Sequence, residues 1–170
     1  MQNTNLPTYV FATVHPAQAK KVVEELKQNS NIELVAPVTG RFDLVLRFKQ
    51  AAPEQVYKWI QNIRQIQGIQ STITTMGFNG FTNGTGIQNH LPLGISLFNV
   101  TSPLETIISQ LKNFPGLVEA WTVPGQFDVL ALWQAKTTDE IVKTTVEKLP
   151  TLQGISKSET LLAYSPFIRA

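Results

Sequence analysis

The sequence predicts an α+β protein built from two consecutive β-α-β-β-α-β units of the ferredoxin-like kind. Three observations carry this. Strand-like and helix-like apolar periodicity alternate in that order twice along the chain. A Gly-x-Phe-Asp turn occurs as Gly40-Arg41-Phe42-Asp43 and again as Gly125-Gln126-Phe127-Asp128, each time between two apolar runs. Gln67-Gly68-Ile69 recurs as Gln153-Gly154-Ile155, at an offset only one residue from that of the turns. Two short motifs repeating at nearly one offset, within the same order of elements, point to an internal duplication.

The first unit opens on a strand over residues 9–14, aromatic and β-branched, between Pro7 and Pro16. Pro16 suits the first turn of a helix, and Ala19, Val22, Val23 and Leu26 follow at helical spacing, which predicts a helix over 16–28. Strands over 32–39 and 42–49 are joined at Gly40, where glycine tolerates a positive φ. Pro53 opens a second helix with Val56, Trp59, Ile60 and Ile63 on one stripe, and Gly68 stops it. A fourth strand is expected over 69–78. Residues 79–91, with Gly80, Gly84, Gly86 and several asparagines, have linker composition. Their Gly-Thr-Gly lacks the Lys of a P-loop and the spacing of a dinucleotide fingerprint.

The order then repeats. A strand over 93–100 leads to Ser102-Pro103-Leu104-Glu105, which reads as a capping box with Pro103 at the first helical position. Ile107, Ile108 and Leu111 give that helix its apolar stripe. Strands over 117–123 and 127–134 form the second hairpin. Thr137-Thr138-Asp139-Glu140 is another capping box, and Ile141, Val142, Val146 and Leu149 form the expected buried stripe of the next helix, which ends by Pro150. The last strand covers 155–164, and Ser165-Pro166 marks a tail. The expected domains are 8–78 and 92–165, with 79–91 as linker. Strands that face water on one side alternate apolar and polar residues. Leu44-Val45-Leu46 and Val129-Leu130-Ala131-Leu132-Trp133 do not, so the sheet faces away from the helices are expected to be buried too. Packing the two sheets face to face, as in a dimeric α/β barrel, is one solution, and packing against a second chain is the other.

Composition narrows the function. Of the residues, 42% are apolar and only 15% charged, with a net charge of +2 and no Lys/Arg cluster, so direct nucleic-acid binding has little electrostatic support. No cysteine is present, which removes disulfides, thiolate metal sites and cysteine nucleophiles. His15 and His90 are the only histidines and lie at separate places in the chain, so no metal site is expected. No Ser/His/Asp arrangement is legible. The first residues lack a signal-peptide pattern and no apolar run approaches membrane-spanning length, so a soluble, cytoplasmic protein is expected.

The Val38-Thr39-Gly40-Arg41-Phe42-Asp43 hairpin, the strand from Gly68 to Thr74 and the β-α-β-β-α-β order resemble the effector-binding (RAM) domain of the Lrp/AsnC feast/famine transcription regulators, in two tandem copies covering nearly the whole chain. The second copy departs from the pattern, with Pro124 in place of the Thr before the Gly. The resemblance implies amino-acid or related small-molecule binding near the Gly-x-Phe-Asp turn, assembly by the sheets into homo-oligomers or with a helix-turn-helix paralogue, and no enzymatic activity or cofactor. The helix-turn-helix domain of that family has no counterpart in these residues. By this reading Asp43 and Asp128 would hold a ligand ammonium, Thr39, Gly40 and Arg41 would hold its carboxylate, and Phe42 would belong to the same site. Thr72 and Thr74 would line the pocket, and Gly125 would mark a second, unequal site. The competing reading of both aspartates is that they bond the backbone of their own turns. Two other functions stay open: an assembly module without ligand, and an enzyme on a dimeric α/β-barrel scaffold, for instance a haem-handling one, which would need a cavity with a functional histidine or a cofactor.

Overall fold

A computed structural model describes residues 6–84 and 86–169. Residues 1–5, where the absence of a signal pattern was read, and Thr85, part of the Gly-Thr-Gly, lie outside the described residues. The chain divides into two compact units, one comprising residues 1–76 with 165–170 and the other residues 77–164.

The first unit contains β1 (Leu6–Val14), α1 (Ala19–Lys27), β2 (Ile32–Pro37), β3 (Leu44–Ala51), α2 (Pro53–Arg64) and β4 (Ile69–Met76). In the second, β5 (Phe78–Thr82) precedes β6 (Leu93–Val100), α3 (Leu104–Leu111), β7 (Leu117–Thr122), β8 (Val129–Gln134), α4 (Thr138–Lys143) and β9 (Ile155–Leu162). β10 (Phe167–Ile168) returns to the first unit. The protein is thus α+β with two antiparallel five-stranded sheets, ordered β10-β2-β3-β1-β4 and β5-β7-β8-β6-β9. The order β-α-β-β-α-β occurs in both halves.

Each sheet buries one face under its own helices. In the first unit Val10, Ala12, Leu46 and Phe48 pack with Val22, Leu26, Val56, Trp59 and Ile63. Phe48 and Trp59 stack with ring centroids 5.6 Å apart. In the second, Phe98, Val129, Ala131 and Trp133 pack with Ile107, Leu111 and Ile141. The residues between them on the strands are buried as well: Tyr9, Phe11, Leu34 and Val45 in one sheet, Ile95, Leu97, Leu130 and Leu132 in the other. That accounts for the missing polar alternation.

Several local expectations need correction. The fourth strand stops at Met76, and Phe78–Thr82 is a strand of its own that pairs with β7, within what reads as linker. Gly80 belongs there because a Cβ would stand 2.1 Å from the carbonyl oxygen of Ala120. The tail is not irregular: Phe167 pairs with Val35 and Ile168 with Leu34. The first helix begins with a 3-10 turn over Pro16–Gln18, and His15 Nδ1 accepts a hydrogen bond from Ala17 N. Ser102 does not cap α3; Pro103 holds the N-cap position without a side-chain hydrogen bond. Thr137 does cap α4, accepting from Glu140 N at 3.2 Å.

The fourth helix departs most from its expected stripe. After Lys143 it widens into a π-turn over Thr144–Lys148, closed by Leu149 N donating to Thr144 O. Ile141, Thr144, Thr145 and Leu149 form the buried face, at i, i+3, i+4 and i+8, while Val142 and Val146 point to solvent, Val146 at 66% exposure. Among the described residues no helix is long and apolar enough to cross a membrane.

Candidate functional site

The two Gly-x-Phe-Asp turns are built alike. Gly40 and Gly125 have φ of 124° and 120°, in the region that favours glycine. Asp43 N donates to Ala12 O, Val38 N to Asp43 O, and the Asp43 Oδ2 accepts from Val14 N at 2.8 Å. Asp128 repeats the pattern: its N donates to Phe98 O, Val123 N donates to its O, and its Oδ2 accepts from Val100 N at 2.9 Å. Each aspartate thus ties a turn to the end of the central strand β1 or β6. Phe42 is buried against Phe11, with centroids 5.2 Å apart, and the Arg41 guanidinium sits 4.8 Å from the Phe42 ring centre. Thr72 and Thr74 lie on β4, opposite Ala12 and Val10 of β1. Thr39 and Gly40 are in the exposed turn. Ala12 pairs with Leu44 on one side and Thr72 on the other, so β1 separates the turn from the two threonines.

A cavity of about 810 Å³ opens elsewhere, in the second unit, between β8 and α4 with its π-turn. None of the residues expected to bind ligand lines it. Its apolar wall is Leu91, Trp133, Ala135 and Ile141. Trp133 is held in place because its Nε1 donates to Ser96 Oγ at 2.9 Å. One side is fixed by Gln134, whose Oε1 accepts from Gln88 N and whose Nε2 donates to Gln88 O, both at 2.8 Å. This amide clamp holds the segment 88–91 against the strand that carries Trp133. The charged lining is Lys136, Lys143 and Lys148 against Glu140. The π-turn contributes directly, since Thr144 and Lys148 lie in it. Its wide geometry is supported by Thr145 Oγ1, which bonds Ile141 O at 3.0 Å and Val142 O at 3.2 Å. π-bulges concentrate at functional sites because they cost regular hydrogen bonding. A concave site that joins an apolar wall to convergent polar groups is a default candidate for small-molecule binding.

The lining contains no histidine, cysteine, methionine or tyrosine. The described lining offers iron no imidazole, thiolate, thioether or phenolate. Sequence reasoning missed this site because its three lysines are scattered over a loop and two helical turns and form no motif.

No protein-family model matches the chain. Over 58 residues, 34% of the chain, it is 28% identical to an uncharacterized HTH-type transcriptional regulator of Pyrococcus furiosus, and the match spans 39% of that protein. The siroheme decarboxylase NirDL, solved in co-complex with an iron-uroporphyrin III analogue, aligns over 96% of this chain and 72% of its own with a TM-score of 0.67 and 10% identity. Chlorite dismutase from Candidatus Nitrospira defluvii aligns over 96% and 91% with a TM-score of 0.61 and 9% identity. An anthrone oxidase-like protein aligns over 98% and 94% with a TM-score of 0.57 and 12% identity.

These likenesses show the fold, and the sequence match supports a relation to transcription regulators. They also correct the expectation that the chain is not an enzyme. The decarboxylase and the dismutase are enzymes that share this fold across nearly the whole chain, so the fold gives no ground for excluding catalysis. None of these three solved proteins is named as a Lrp/AsnC effector domain.

Proposed function

We propose that the protein is a small-molecule-binding module, related to transcription regulators, whose ligand is an anion with a substantial apolar body seated in the cavity beside the π-turn. The observation that carries this is the cavity itself: a wall of Trp133, Leu91 and Ile141, with Lys136, Lys143 and Lys148 around it. Burial of the ligand's apolar body supplies affinity, and the lysines favour a carboxylate or phosphate end. An amino acid at the Thr39–Asp43 or Gly125–Asp128 turns has weaker support, because a carboxylate oxygen of each aspartate is already used by Val14 N or Val100 N. In a regulator, ligand occupancy would reach DNA through a helix-turn-helix partner, in line with the sequence match.

A thermal-shift screen tests the reading, with three sets of compounds: apolar carboxylates, free amino acids, and uroporphyrin with and without iron. A ligand of the first or third kind should raise the melting temperature, and Lys143→Gln with Lys148→Gln should reduce the rise. A rise that these substitutions leave unchanged, or one produced by amino acids and abolished by Arg41→Ala, would overturn it. A second reading, favoured by the enzyme neighbours, is that the bound compound is also transformed. Recovering the ligand chemically altered after incubation with the purified protein separates the two.

A further inference from the structure

Four strands end the two sheets, and they differ in how well they resist pairing with another strand. Natural proteins blunt such edges with charge, proline, bulges or short length. β10 is two residues long and is followed by Arg169, whose N donates to Glu33 O. β5 is five residues long, contains Gly80 and shifts register between Phe78 and Phe81. β9 carries Lys157 and Glu159. β4 has a register shift only at its first residues, where Ser71 faces Thr13 and Ile69 faces Val14, and from Ser71 to Met76 its pairing is regular. It runs for eight residues, Ile-Gln-Ser-Thr-Ile-Thr-Thr-Met, with no charge and no proline, and five of the eight are threonine or isoleucine. Among the described strands only β1 pairs with it, and Ile73 stands 42% exposed near its middle.

We infer that β4 is a self-association edge, and that its partner is β4 of a second copy of this chain, added antiparallel across a two-fold axis. In a continuous sheet, facing residues must point to the same side, which limits the two-fold registers. The register centred on Ile73 sets Ile73 against Ile73, Thr72 against Thr74 and Ser71 against Thr75. It buries the exposed isoleucine against its own copy and forms Thr–Thr and Ser–Thr cross-strand pairs, which stabilise antiparallel ladders. It brings no like charges together, because the strand has none. A heterologous strand would need no such self-complementarity, whereas a two-fold partner does. An edge pairing of eight residues buries less than a standard interface, so the dimer should be a weak one, in the range of about 10–100 μM.

The test uses the full chain. Sedimentation velocity over a concentration series should show a monomer–dimer equilibrium, and Ile73→Lys should weaken it at least about tenfold by setting two ammonium groups face to face. The absence of native cysteine permits a second measurement that does not depend on tolerance of lysine. Ile73→Cys should form a disulfide-linked dimer on mild oxidation, and Ser158→Cys on the β9 edge should not. A chain that stays monomeric at about 1 mM, well above that range, overturns the inference. So does a dimer that Ile73→Lys leaves intact, or one that cross-links equally well through Ser158→Cys.

Discussion

At the scale of single residues, the two turn aspartates show how a repeated motif earns its place by hydrogen bonding. The Asp43 and Asp128 carboxylates each accept the backbone N–H at the end of the neighbouring central strand, at 2.8 and 2.9 Å. Removing either acceptor leaves that N–H without its carboxylate partner. Asp43→Ala and Asp128→Ala should each lower unfolding free energy by about 1–3 kcal/mol, and Asp43→Asn, which keeps an acceptor, should lose less. Urea denaturation of the three variants checks this. The motif was legible in the sequence as a turn with a carboxylate folded back on the backbone, because glycine at positive φ and a following aspartate are local chemistry. The ligand role set beside it came from resemblance, and nothing local to residues 39–43 could decide between the two.

At the scale of elements, the fourth helix is where the second unit departs from regularity and where its cavity lies. Thr145 Oγ1 bonds the carbonyls of Ile141 and Val142, and the helix then takes an extra residue before Leu149. Thr145→Val keeps volume and removes the hydroxyl. It should cost about 1 kcal/mol and weaken binding of the anionic ligand while circular dichroism stays unchanged. An equally tight ligand in Thr145→Val would show that the π-turn is independent of that hydroxyl. The core strands and the first three helices were legible because each is long enough to show its period, and the fourth by its Thr137 cap. The π-turn was not: Val142 and Val146 were chosen for the buried stripe because they are apolar, while the face that is buried carries Thr144 and Thr145 between Ile141 and Leu149. β5 and β10 were missed for a related reason. They are short edge strands whose formation depends on distant partners, β7 and β2, and Gly80 and Pro166 locally argue against strand.

At the scale of the whole molecule, the chain leaves the first unit after Met76 and comes back to it at Ser165. The return is anchored by Arg169, whose Nε donates to Ile32 O at 3.0 Å and whose Nη2 donates to Lys27 O at 2.5 Å and Asn29 O at 3.1 Å, closing the end of α1. Truncation after Tyr164 should therefore speed amide exchange at Leu34 and Val35 and leave β6 and β8 protected, as mass spectrometry of exchanged peptides would show. Arg169→Ala should produce the same change to a smaller extent. The returning strand also sets an order in time. During synthesis the first unit emerges before the second, yet its β2 edge gains its partner among the described strands only when Phe167 and Ile168 are made. At roughly 5–20 residues per second, the remaining stretch takes on the order of ten seconds. In the second unit the longest wait is shorter: β9, which pairs with β6, begins 55 residues after β6 ends, whereas β10 begins 130 residues after β2 ends. The half of the protein that is translated first is thus the half that finishes folding last, and β2 spends that interval as an open template for the wrong strand.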